Sequence, residues 1–145
     1  MWRMSSTGGL EKTLQEVVSR LLRRYRVHAV ILFGSRARGD WGPWSDIDLL
    51  VIADFDKPYL DRLAELLDLV ADISEPLEFH PYTLDEALTM LRKLNPLIID
   101  ALWEGKVLYS DEKFKILQEE FQKLLKRGLK RSNTTIYLEN RNSKS

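Results

Sequence analysis

A chain of 145 residues is the size of one globular domain, and its 44% hydrophobic and 30% charged residues exclude a disordered or collagen-like polymer. Its 22 basic and 22 acidic side chains cancel, so net charge offers nucleic acid no non-specific attraction, and the absence of cysteine excludes disulfides and thiolate metal sites. Apolar runs such as Leu49–Ala53 are too short to span a bilayer and the start Met-Trp-Arg-Met-Ser-Ser lacks a secretory leader core, so a soluble cytoplasmic protein with no membrane partner is expected.

Leu10, Leu14, Val17, Val18, Leu21, Leu22 and Tyr25 recur at helical spacing and predict an amphipathic helix over 10–26. Val27–Phe33 is a short β-branched apolar run closed by Gly34, which predicts a buried strand. Gly34–Ser45 mixes glycine, proline and charge and reads as a loop, after which Asp46–Ala53 returns as a strand, polar at its start and apolar beyond. Pro58 suits a first helical turn, and Tyr59, Leu63, Leu66, Leu67 and Val70 mark a second helix. Pro76–Tyr82 alternates Leu77 and Phe79 with Glu78 and His80, a short strand.

Thr83-Leu-Asp-Glu86 has the capping-box pattern and opens a helix with Leu84, Leu88, Leu91 and Leu94 on one face. Asn95-Pro96 breaks it, and a further helix runs to Glu104 before Gly105. Lys106–Tyr109 reads as a strand, and a last helix runs from Ser110 to Leu129. From Asp111 onward bases outnumber acids; they are expected to form a solvated face. The division is then a domain over 8–130 and a flexible or loosely docked tail over 131–145. The fold class is α/β (α+β), a small mixed β-sheet flanked by helices.

The chemistry lies in Phe33–Val51. Gly34, without a side chain, lets a ligand approach the backbone closely. A helical turn after Ser35 would turn free N–H groups toward a phosphate, and Arg36 and Arg38 carry guanidinium groups suited to the same anion. Asp46 and Asp48 sit two apart on a strand, so both carboxylates share one face, roughly 7 Å apart at their α-carbons. Ile47 and Leu49 then point into the core. Two hard oxygen ligands beside a phosphate cradle suit magnesium.

Gly34-Ser35, ten residues, then Asp46-x-Asp48 resembles the signature of the DNA-polymerase-β-like nucleotidyltransferases. The longer strings Gly34-Ser-Arg-Ala-Arg-Gly39 and Ser45-Asp-Ile-Asp-Leu-Leu50 are similar to their minimal nucleotidyltransferase branch, with the match extending over about Val27–Tyr82. The resemblance implies the nucleotidyltransferase fold and transfer of a nucleoside monophosphate from a nucleoside triphosphate, ATP, to an acceptor hydroxyl. It implies nucleotide binding by Gly34, Ser35, Arg36 and Ser45, and catalysis and magnesium binding by Asp46, Asp48 and a third carboxylate from a later strand. Glu78 stands where the family usually has Asp. In the minimal branch the enzyme is an antitoxin that adenylylates a tyrosine of a helical HEPN-type toxin, so that partner is implied, and nucleic acid is not.

Competing readings follow from the same residues. A chain that keeps the fold and the partner surface could neutralise a partner by contact, without turnover. A small-molecule nucleotidyltransferase and a nucleotide sensor complete the set. Trp41 and Trp44 fit packing beneath their own loop better than base stacking, and Arg36 and Arg38 fit a solvated loop as well as a phosphate. His28 and His80 lack a His or Cys companion at ligand spacing and read as structural, although His80 shares the face of Glu78.

Overall fold

A computed structural model of the chain describes residues 8–34, 46–132 and 135–139. In chain order the elements are α1 (Gly8–Arg24), β1 (Val27–Phe33), β2 (Ile47–Ala53), α2 (Tyr59–Leu69), β3 (Leu77–Tyr82), α3 (Leu84–Arg92), α4 (Pro96–Glu104), β4 (Lys106–Ser110), α5 (Phe114–Lys126), β5 (Leu129–Arg131) and β6 (Ile136–Leu138). The main sheet runs β3-β2-β1-β4, with β2 and β3 parallel and the other pairs antiparallel. This is the small mixed sheet flanked by helices that the pattern predicts.

Both faces of the sheet are covered, which is why β1 is buried along its whole length and reads as an unbroken apolar run. Alternate residues divide between two cores. Val30, Leu32, Ile47, Leu49, Val51 and Phe79 pack with Leu14, Val17 and Leu21 of α1 and Leu66 of α2. Ile31, Phe33, Leu50 and Ile52 pack on the other face with Leu88 and Leu91 of α3, Ile98 and Ile99 of α4, and Leu117 and Phe121 of α5.

Local signals fix most boundaries. Thr83 and Glu86 form the reciprocal capping box at the start of α3. Leu94 takes a left-handed φ of 59° between α3 and α4, and the Asn95 side chain accepts the Leu97 N–H ahead of Pro96. The last helix is shorter than expected at both ends. Asp111 is held instead by His28, while its other oxygen accepts the Lys113 N–H, so α5 begins at Phe114. It stops at Lys126 because Gly128, at φ 100°, turns the chain into β5. The expected boundary at residue 130 falls inside that strand. β5 pairs antiparallel with β6, and Ile136 and Leu138 pack against the α3–α4–α5 core, so this part of the tail is a docked ribbon.

Two charged side chains are buried among the described residues, and each ties elements together. Arg62 of α2 makes a fork of hydrogen bonds to Glu86 of α3 at 2.7 and 3.0 Å, and also donates to the carbonyls of Lys57 and Pro81. His28, 2% exposed at the start of β1, lies between Asp111 and Asp54, with ring nitrogens 2.7 and 2.8 Å from their carboxylate oxygens. A neutral imidazole donates from one nitrogen only, whereas the imidazolium satisfies both carboxylates. Burial alone would lower the His28 pKa; the two carboxylates outweigh it and raise it.

The raised value sets the sign of a pH effect. Stability from His28 is fully present below about pH 6.5, its ordinary value, and fades as pH rises through the higher folded value. His28→Gln should therefore cost about 1–3 kcal/mol at ~pH 6 and clearly less at ~pH 9. Urea unfolding of both proteins at the two pH values measures this; an equal cost at both would make the histidine neutral in the fold.

Candidate active site

The site forms where three strands meet one rim of the sheet. The antiparallel register sets Asp48 opposite Phe33, the last residue of β1, and the parallel register sets Glu78 beside Asp48. Phe33, Asp48 and Glu78 thus form a row across the sheet on the α3–α4–α5 face, with neighbouring strands about 4.8 Å apart. One row further in, His80 lies beside Leu50, and one beyond that, Tyr82 lies beside Ile52. Apolar side chains fill the face from Leu50 inward, so the acids are confined to the rim.

Gly34 follows Phe33 with a left-handed φ of 79°, and a Cβ on it would lie 2.6 Å from Asp48 Oδ2. Both facts require glycine: the backbone angle disfavours a side chain, and the space is filled by the carboxylate. The close approach that the sequence assigns to a ligand is therefore also an approach to Asp48.

His80 was expected to be structural, and its ring does pack on Phe33, with centroids 5.2 Å apart. Its Nε2 also lies 3.1 Å from Asp48 Oδ1 and 3.9 Å from Glu78 Oε2. One ligand atom from each of Asp48, Glu78 and His80 can be chosen so that all lie within 4.8 Å of one another. Alternation along β3 hinted at this, by placing His80 on the Glu78 face; the contact itself depends on the β2–β3 register.

Glu78 is half exposed, and partial burial, then the Asp48 charge and a hydrogen bond shared with Asp46, raise its pKa. That bond brings Asp46, exposed just ahead of β2, to the same cluster. Asp46 and Asp48 are therefore both neighbours of Glu78. The Asp48 and Glu78 carboxylates with the His80 nitrogen form a donor set that fits a divalent cation, and His80 Nε2 also holds one Asp48 oxygen at 3.1 Å. The nucleotide-binding candidates divide: Gly34 is at the site, whereas Ser35, Arg36 and Ser45, with Arg38, Trp41 and Trp44, lie outside the described residues. No helix among the described residues is long and apolar enough to cross a membrane.

Comparison with known proteins identifies the family and the fold. A family model described as a nucleotidyltransferase domain matches residues 11–131. A Methanocaldococcus jannaschii protein provisionally named a protein adenylyltransferase is 32% identical over 127 residues, covering 81% of this chain and 86% of the relative. A second protein of that organism with the same provisional name is 45% identical over 60 residues, 39% of this chain and 60% of the relative. Among solved structures, a chain from a toxin–antitoxin complex with AMP-PNP superposes with a TM-score of 0.51 at 20% identity, covering 77% of this chain and 94% of that one. A Sulfolobus solfataricus protein provisionally described as a nucleotidyltransferase gives a TM-score of 0.50 at 20% identity, covering 76% and 96%. The structural likeness establishes the fold, and the match over residues 11–131 establishes the lineage: the chain belongs to the nucleotidyltransferase domain family.

Proposed function

We propose that this chain transfers the nucleoside monophosphate of ATP, with a divalent metal, magnesium, to a hydroxyl on a protein partner, and acts as the antitoxin of a helical HEPN-type toxin by modifying its tyrosine. The observation that carries the catalytic part is the row of Gly34 against Asp48 against Glu78 at one rim of the sheet. The protein acceptor draws on the provisional name of the Methanocaldococcus jannaschii relative, and the toxin partner on the toxin–antitoxin neighbour solved with AMP-PNP. A cytoplasmic setting, where ATP is plentiful, belongs to the same reading.

In this reaction the acceptor oxygen bonds to the α-phosphorus, the bond from that phosphorus to the bridging oxygen breaks, and pyrophosphate leaves. Gly34, with Ser35, Arg36 and Ser45, holds the phosphates so that the α-phosphorus faces the acceptor. Asp46, Asp48 and Glu78 would hold the cation, and His80 holds one oxygen of Asp48. A cation there would supply charge neutralisation for the phosphates and lower the pKa of the acceptor hydroxyl. Glu78, the third acid at the rim, accepts the hydroxyl proton.

One contact favours a second reading. With His80 on one Asp48 oxygen and Glu in place of Asp as the third acid, the site could retain nucleotide without turnover, and the chain would then neutralise its partner by contact. Labelling of a co-purified partner with α-labelled ATP separates the two. Glu78→Gln should lower labelling about 10²–10⁴-fold while ATP affinity changes little. No labelling by the unaltered protein, with neutralisation intact in Asp46→Asn, would establish the contact reading.

A second measurement addresses the metal. Calorimetric titration should show ATP binding with magnesium and little with chelator. Gly34→Ala, which must push the Asp48 carboxylate aside, should weaken magnesium-dependent binding at least about tenfold without unfolding the protein, and His80→Ala should do so by a similar factor. Equal affinity with and without magnesium would remove the metal from the reaction.

A further inference from the structure

Beyond Glu78 the sheet ends, because β3 is its outer strand. Between this edge, the start of α2 and the side of α3 runs an open groove of about 710 Å³. The apolar and aromatic part of its lining is Tyr59 and Tyr82, with rings 5.4 Å apart, together with Met90 and Pro58. The fork between Arg62 and Glu86 lies in the lining, and because these charges cancel, Asp85 leaves the groove net negative.

The order of groups across the sheet says which reactant this groove serves. The phosphate-binding glycine follows β1, Asp48 is on β2, and Glu78 is on β3, so triphosphate, cation and acceptor lie in that sequence toward the outer edge. A groove beyond Glu78 is on the acceptor side. Its negative charge opposes a nucleic acid or another polyphosphate and complements a segment carrying bases. Burial, then the hydrogen bond with Tyr82, push the Tyr59 phenol up to about 12, with the Glu78 charge contributing, so groove and rim are within electrostatic reach.

Resting on the transferase reading, we propose that this groove anchors a polypeptide acceptor by a large apolar side chain, in a basic segment, while the acceptor hydroxyl reaches Glu78. The spacing follows from the strand. Tyr82 in the groove wall and Glu78 at the rim are four residues apart on one face of β3, about 13 Å at the strand rise. An extended peptide lying along this edge spans the same distance with its own residues. Anchor and acceptor are therefore separated by roughly four positions.

The test uses blocked, lysine-flanked peptides with one tyrosine and one leucine, placed roughly four positions apart on either side, or adjacent. With the full-length protein and magnesium ATP, a four-position peptide should be labelled with a KM at least about tenfold below the adjacent one, and Thr89→Trp, which fills the groove from an exposed helix position, should raise that KM without changing ATP affinity. Independently of turnover, that peptide should shift the backbone amide signals of Tyr82, Asp85 and Thr89 in the isotope-labelled protein, whereas magnesium ATP should not. Absence of those shifts overturns the groove assignment whatever transfer does, as does a Thr89→Trp effect on ATP affinity. Shifts without labelling of any acceptor would leave the groove standing and overturn the transferase reading.

Discussion

The contact between Gly34 and the Asp48 carboxylate is set by the register of β1 against β2. It needs β1 to end where β2 begins, and it needs the antiparallel register that sets Phe33 opposite Asp48. A slip of one residue would turn Asp48 into the core now filled by Ile47 and Leu49 and bring those two side chains to the rim. The apolar residues beneath the site therefore guarantee its geometry. Ile47, Leu49 and Val51 can be buried against α1 and α2 only if Asp48 lies on the opposite face, and Leu50 and Ile52 close that face immediately behind it.

Charge is used differently inside and at the rim. His28 and Arg62 are buried, and each is surrounded by acceptors from separate elements: Asp54 and Asp111 for the first, Glu86 with the Lys57 and Pro81 carbonyls for the second. Such groups are costly to desolvate and fix orientation because removing either partner strands the other. At the rim the arrangement is reversed. Acids crowd acids, and apart from His80 no described cation touches Asp48 or Glu78. An excess of negative charge is left where a cation and a phosphate are expected to meet.

Much of this was legible in the sequence because it depends on neighbours in the chain. Alternation places Asp46 and Asp48 opposite Ile47 and Leu49, the capping box starts α3, and Asn95-Pro96 separates α3 from α4. What escaped depends on distant partners. His28 looks like a lone histidine until the fold brings in Asp54 and Asp111, 26 and 83 residues away. His80 meets Asp48 only through a parallel pairing between strands joined by a helix. The β5–β6 ribbon is too short and too polar in sequence to announce itself, and its stability comes from Ile136 and Leu138 against a core built earlier in the chain.

The hydrogen bond from Arg62 to the Pro81 carbonyl bears on how the protein behaves in a crowded solution. An outer strand with free amide and carbonyl groups recruits other strands and seeds aggregation. In β3, proline removes one amide hydrogen, and the buried guanidinium occupies the carbonyl of the same residue. At Pro81 the edge is thus closed to main-chain pairing. A neighbouring strand that tried to extend the sheet past this point would lose two main-chain hydrogen bonds at one residue, so continuous pairing along β3 is disfavoured.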